Sequence, residues 1–256
     1  MTTKPGVDLL VVDYQTPQKL RRMLASVRDE GHPLAVWIGL VESPESEGVA
    51  RDFHPHTGFA GEVVNWVDNV GYNRAINRLG TLGTNEVIAC CNSDIEFPPD
   101  AISKLAWAAW AEPEWGVVGP RQIDDRRRLS AGGIFGTPTK PTHRGWRAID
   151  GYDDVRDDAI YVVGSVVFMR RQVWDELTTC PDYRTFCGEP GPWLDVEHFY
   201  GDAWLSAHAR AHGYKAVYYG DVTVTHTLGG RRIKERDRPD KARFRAACDA
   251  HGIEHE

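Results

Sequence analysis

The sequence predicts an α/β protein built on a mostly parallel sheet with helices on both faces. Three observations carry that expectation. Short apolar runs alternate with amphipathic segments through the first 120 residues. Each run has the length of a strand and not of a helix. The runs also stop abruptly at polar residues or proline, as buried strands do where they leave a sheet. Strands separated by helices need crossover connections, which make neighbours parallel and bury both faces of the sheet.

Asp8-Leu-Leu-Val-Val12 reads as the first strand. Thr16 and Pro17 supply an N-cap and a first-turn proline for a helix running to about Glu30, with Leu20, Met23, Leu24 and Val27 facing the sheet at helical spacing. Leu34 to Val41 is the second strand, ending at Glu42-Ser43-Pro44, and Glu62 to Val67 is the third. Asn69-Val-Gly-Tyr-Asn-Arg-Ala-Ile-Asn77 opens a short helix. Glu86 to Cys91 is the fourth strand, followed by a helix from Asp100, its expected cap, to about Trp110; Gly116-Val-Val-Gly119 is the fifth.

After Pro120 the character changes. Gly- and Pro-rich stretches between Ala131 and Gly145 suggest a hairpin or flap. Ala159 to Met169 reads as a strand interrupted at Gly164-Ser165, and glycine within a strand often marks close approach of a ligand or another backbone. A loop from Cys180 to His198, a helix from Gly201 to His212, and a strand pair ending at His226 follow. The second half reads as a smaller lobe folded onto the sheet. Residues 231–245 carry eight basic and three acidic side chains, which suit a solvated helix face or a cationic arm for phosphate.

A chain of 256 residues with 41% hydrophobic and 26% charged residues has the composition of a soluble globular domain. Its net charge of −7 argues against a general nucleic-acid coat. Five cysteines without a Cys-x-x-Cys pair suggest neither a zinc site nor a disulfide framework, and the absence of an apolar leader or spanning stretch leads to the expectation of a cytoplasmic protein.

Polar residues at element ends carry the functional reading. Asp94 follows a buried strand, at the end where open α/β sheets bind ligands. A carboxylate there either caps the next helix or serves as a hard-oxygen ligand for a divalent cation. Asp202 opens a helix and reads equally as a cap or as a general base. His226 continues an apolar strand face and reads as a rim residue or a metal ligand. A nucleotidyltransferase would need a basic Gly-rich loop after the first strand, and a dinucleotide-dependent oxidoreductase Gly-x-Gly-x-x-Gly; Asp13-Tyr-Gln-Thr-Pro-Gln18 offers neither.

Taken in order, these clusters resemble family 2 glycosyltransferases of the GT-A fold, closest to the rhamnosyltransferase-like branch, over about residues 7–230. The carrying segments are Leu10-Val-Val-Asp-Tyr-Gln-Thr16, the Asn69–Asn77 helix, Asn92-Ser-Asp94 with Pro-Pro-Asp100 after it, Tyr200-Gly-Asp202, and Val224-Thr-His226. The resemblance implies a GT-A domain over residues 1–230, with a donor half to about 120, an acceptor half from about 121, and a basic tail over 231–256. It implies an inverting, metal-dependent transfer from a nucleotide-diphosphate sugar. Asp202 would be the base, and Asp94 and His226 would hold Mn²⁺ or Mg²⁺. Asp13, Tyr14, Glu42, Asn69, Gly71, Asn77, Asn92 and Ser93 would contact the nucleotide sugar, and Gly164, Ser165 and Trp193 the acceptor. Trp146 and Trp193 are candidate sugar- or base-stacking platforms, though loop tryptophans are as often hydrophobic plugs. A saccharide or lipid-linked saccharide is the default acceptor, with a protein side chain or modified nucleic-acid base as alternatives. The family usually has Glu-Asp where this chain has Gly201-Asp202, and Asn92 replaces the first Asp of the metal motif. The Gly201 departure keeps open a non-catalytic sugar- or nucleotide-binding protein on the same fold.

Overall fold

The computed structural model describes residues 4–28, 31, 33–137, 140–181, 186, 190–196, 200–227 and 237–255. Its centre is a ten-stranded sheet. Strands β1 (Val7–Tyr14), β2 (Leu34–Val41), β3 (Val63–Trp66) and β4 (Val87–Asn92) form the parallel part, in the order β3-β2-β1-β4. Strand β1 has β2 and β4 on its edges and helices packed on both faces, so it needs no polar face.

The two faces of β1 sort the core. Leu9 and Val11 pack with Leu20 and Met23 of α1 (Pro17–Ser26), Phe53 of α2 (Glu47–Thr57) and Leu105 of α4 (Ala101–Ala111). Leu10 and Val12 face the opposite layer, with Ile76 and Leu79 of α3 (Tyr72–Leu79), Trp174 and Leu177 of α5 (Arg171–Thr178), and Leu205 of α6 (Gly201–Ala211). A third cluster joins Trp204 of α6 to Phe244, Ala247 and Cys248 of α7 (Asp237–His251).

The second half completes the sheet. Strand β11 (Val166–Arg170) is inserted antiparallel between β4 and β6 (Trp115–Ile123); β12 (Lys215–His226) runs parallel to β6, and β10 (Val155–Ala159) forms the edge. The two-residue β5 (Ile95–Glu96) pairs with the end of β12, and β7 (Leu129–Ala131) with β6. A separate hairpin of β8 (Ile134–Thr137) and β9 (Lys140–His143) forms the flap.

Several local expectations are corrected. The expected strand over 159–169 is strand only from Val166, as β11, which pairs with β4; Ala159 ends β10, which pairs with β12, and 160–165 link the two. The expected terminal strand pair is one twelve-residue strand, with its register shifted between Tyr219 and Thr223. Helix α1 ends at Ser26, where Val27 turns extended. Thr16 does not cap it, since its hydroxyl donates to Asp13 Oδ1 at 2.5 Å. Asp100 makes no side-chain cap either; it takes a left-handed backbone with φ of 63°. Helices α2 and α5 are additions to the sequence reading.

Candidate active site

A turn and a short strand position Asp94. After β4, the Asn92 amide donates to Ser165 O (2.8 Å) and the Ser93 amide to Val12 O (3.2 Å). The chain turns through Ser93 and Asp94 and enters β5, where Ile95 pairs with His226. The Thr227 amide donates back to Asp94 O at 3.0 Å. Pairing of β5 with β12 therefore brings His226 beside Asp94, although 132 positions separate them in sequence (226 − 94).

His226 Nε2 lies 3.3 Å from Asp94 Oδ1, and Lys19 Nζ lies 3.2 Å from Oδ2. Lys19 also donates to Thr227 O at 2.9 Å. Burial works against ionisation of Asp94, but His226 and Lys19 overcome it and hold the carboxyl below its ordinary range. On its other side, His226 donates Nδ1–H to Gln122 Oε1 (3.1 Å), which also accepts the Ser165 hydroxyl (2.7 Å). Because Gln122 Oε1 can only accept, Nδ1 carries a proton and Nε2 is the ring nitrogen turned towards Asp94.

A divalent cation fits here on one specific ground. Asp94 Oδ1 is buried and has no hydrogen-bond partner among the described residues, despite the nearby imidazole. A buried oxygen with an unshared lone pair beside an oriented imidazole nitrogen is a pair of donors that suits an electron-pair acceptor.

Asp202 stands in a different environment. It lies in the first turn of α6; Oδ2 accepts the Gly164 amide at 3.0 Å and Oδ1 the Ala203 amide at 2.8 Å. Burial raises its pKa, and the Gly164 and Ala203 amides offset only part of that rise. A side chain on residue 164 would come within 2.9 Å of Asp202 Cβ and 3.1 Å of the Trp193 ring, so glycine permits the approach. Residue 201 is glycine for a related reason: an added Cβ would lie 2.4 Å from the Asn73 amide. Tyr72 donates its hydroxyl to Gly164 O at 3.0 Å; burial raises its pKa first, and the charges of Asp202 and Asp94 add to the rise.

The remaining sequence candidates divide into exposed and structural groups. Tyr14 is 49% exposed at the end of β1 and Glu42, with φ of 46°, follows β2, so both reach the carboxyl edge of the sheet. Asn69 forms an Asx turn with the Gly71 amide (2.9 Å), and both line a cleft of about 490 Å³ with Asp195 and Arg243. Asp13 is fully buried; Thr16 and Ser46 (2.6 Å) engage its carboxylate, and Thr16 Oγ1 in turn contacts Ser93 Oγ at 2.9 Å. It shapes the turn and offers no oxygen to a ligand. Asn77 is buried too, and its amide brackets the backbone of Trp193, donating to O (2.9 Å) and accepting from N–H (3.0 Å). Asn73, one turn earlier, donates to Leu194 O at 2.8 Å. The helix motif thus clamps the second-half loop and does not present Asn77 to a nucleotide.

Of its two expected roles, Trp193 has the geometry of a hydrophobic plug. It is 1% exposed, beneath Gly164 and edge-on to Tyr72 at 5.6 Å, and it fills the floor of the site. Trp146 in the flap is 44% exposed, beside His143. Residues 182–185, 187–189 and 197–199 of the expected acceptor loop, and 228–236 with most of the basic run's start, lie outside the described residues.

No protein-family model and no curated protein matches the sequence. Solved structures do. The mannosyltransferase PcManGT from Pyrobaculum calidifontis, in complex with GDP-Man and Mn²⁺, aligns with a TM-score of 0.66 at 17% identity, over 97% of this chain and 65% of that one. GalNAc-T7 with UDP, GalNAc and Mn²⁺ aligns at 0.67 and 12% identity, over 98% of this chain and 56% of that one. S. aureus TarS aligns at 0.62 and 12% identity, over 96% and 72%. The chain has the GT-A fold. It spans about two thirds of PcManGT and just over half of GalNAc-T7. In the GT-A frame, Asp94, His226 and Asp202 all stand at ends of elements around one edge of the sheet. Gln122 and Lys19 were missed by the sequence reading. Gln122 sits in a polar stretch of β6 with nothing local to mark it, and Lys19 looks like any exposed helix lysine until α1 packs beside β5.

Proposed function

We propose that this protein is a metal-dependent, inverting glycosyltransferase that moves a sugar from a nucleotide-diphosphate donor to an acceptor hydroxyl. The observation that carries the reading is the pairing of two carboxylates with opposite environments. Asp94 is held as an anion with an unpartnered oxygen beside His226, while Asp202 is half-buried and desolvation raises its pKa. Environments that push two carboxyl groups apart assign them different tasks. GT-A neighbours in complex with GDP-Man or UDP and Mn²⁺ support the same donor class.

Asp94 and His226 would hold the cation, and one carboxylate oxygen with one imidazole nitrogen suits Mn²⁺ better than Mg²⁺, which prefers oxygen. The cation would supply charge neutralisation to the diphosphate leaving group. Lys19 adds a fixed positive charge at the same place. Tyr14 and Glu42, at the ends of β1 and β2, are positioned for the base and ribose. Asp202 takes the proton from the acceptor hydroxyl as that oxygen bonds to the anomeric carbon. The bond from that carbon to the diphosphate breaks on the opposite side, so one displacement inverts the centre, with oxocarbenium character in between. The buried Trp193 and Gly164 form a rigid floor that holds Asp202 in place. The acceptor is most simply a saccharide.

The test is a thermal-shift panel of UDP-, GDP- and dTDP-sugars with and without Mn²⁺, on the wild type and on Asp94→Ala. Stabilisation by one nucleotide class that needs Mn²⁺ and is lost in the variant is the expected result. No stabilisation by any donor would sink the donor-site reading. Donor binding without turnover, equal in wild type and Asp202→Ala across a panel of saccharide acceptors, would identify a non-catalytic binding protein instead.

A further inference from the structure

We propose that Cys180, His208 and His251 form a second, structural metal site for Zn²⁺, separate from the Asp94 crevice. The three residues come from the loop just after α5, the middle of α6 and the last residue of α7. Their ligand atoms all lie within 4.8 Å of one another, and Cys180 Sγ is already 3.7 Å from His251 Nδ1. With Zn–S of about 2.3 Å and Zn–N of about 2.0–2.1 Å, the edges of a zinc tetrahedron are about 3.5 Å. One edge is therefore near its liganded length, and side-chain rotation alone has to close the others.

His208 supplies the independent reason. It is 1% exposed, and neither of its ring nitrogens has a hydrogen-bond partner among the described residues. Its surroundings are rings: Trp204 at 5.0 Å, His251 at 4.8 Å and His212 at 4.9 Å. A histidine in an ordinary core finds a carbonyl, a carboxylate or a water for at least one nitrogen. Burial, followed by the nearby His251 and His212, pushes its pKa down to about 3, so the ring is neutral and keeps a lone pair. His212 is already directed elsewhere, with Nδ1 3.1 Å from Glu176 Oε1.

The donor set selects the metal. One thiolate and two imidazoles suit Zn²⁺, whereas Mg²⁺ and Mn²⁺ favour oxygen. A water would complete the tetrahedron. Bound there, the ion would join α5, α6 and α7 and give the C-terminal helix an anchor beyond its apolar contacts. Because Asp202 opens the helix that carries His208, the same ion would brace the base-bearing end, six residues or about 9 Å away along α6.

The experiment uses the full chain without an affinity tag, stripped with chelator and titrated with Co²⁺ followed by Zn²⁺. Tetrahedral visible bands and a near-ultraviolet thiolate band are expected at one equivalent, displaced by Zn²⁺. Cys180→Ser should lose the thiolate band, and His251→Ala should bind at least tenfold more weakly. Asp94→Ala should keep the whole spectrum, which separates this site from the crevice. His208→Ala tests the buried ligand but risks misfolding, so the other two variants decide. A thiolate band unchanged in Cys180→Ser, or a wild-type spectrum of octahedral type with no thiolate band, would overturn the proposal.

Discussion

Asp94 and Asp202 are both half-enclosed acids at the start or end of an element, yet the protein treats them oppositely. Asp94 faces the Lys19 ammonium and the His226 imidazole, which hold its carboxyl below the ordinary range. Asp202 is surrounded by backbone amides and burial, and ionises with more difficulty. A side-chain cation and an imidazole favour the anion of Asp94. Desolvation disfavours the anion of Asp202, and two backbone amides offset only part of that. The same residue type reads identically in the sequence and acquires its role from what packs around it.

The contrast is most easily broken at Asp202. Asp202→Ala is expected to reduce transfer by about a hundred- to ten-thousandfold while donor affinity in the thermal-shift assay holds. Gln122→Ala should weaken Mn²⁺-dependent donor binding by about ten- to a hundredfold, because His226 loses the acceptor that fixes its tautomer; isothermal titration with Mn²⁺ checks this. Asn77→Ala should lower stability by about 1–3 kcal/mol, since it strips both partners from the Trp193 backbone, and leave donor affinity unchanged; urea unfolding with donor titration distinguishes this structural role from nucleotide binding.

Smaller in size but sharper in logic is the pH dependence of unfolding. The folded pKa of Asp94 is depressed, so its contribution is present above the ordinary Asp value of about 3.9 and is lost as pH falls through the folded value. Asp202 is raised, so its contribution is full below about 3.9 and is lost as pH rises through the folded value. The Tm difference between wild type and Asp94→Ala should therefore grow from acid toward neutral pH, and that for Asp202→Ala should shrink. The acidic limb of the transfer rate should lie above the ordinary Asp value, because Asp202 must be ionised to act. Slopes of the same sign would contradict the assignment of the two environments.

Strand and helix alternation made the parallel β3-β2-β1-β4 half legible, because local apolar runs encode buried strands. The fate of the second half was harder to read. Strand β11 sits between β4 and β6 only through pairings with residues far away in sequence; Gly164-Ser165 marked the interruption locally, but nothing near it said where the following strand goes. Asp94, His226 and Asp202 were visible because each ends an apolar or helical run. Gln122 was not, since its partner His226 lies 104 positions away. Asn77 was visible, but its hold on the Trp193 backbone was not, since that partner is 116 positions off. Residues that act through distant backbone leave no local pattern.

Gly164 and Ser165 have one more consequence. The amide of Gly164 fixes Asp202, the carbonyl of Ser165 fixes the end of the strand before Asp94, and the Ser165 hydroxyl fixes Gln122. Two consecutive residues thus set the gap between the acid at each end of the crevice, and they do it largely with main chain. The spacing is a built-in gauge, indifferent to the side chains of the flap. The β8–β9 hairpin could be exchanged, and the spacing between Asp94 and Asp202 would be inherited unchanged.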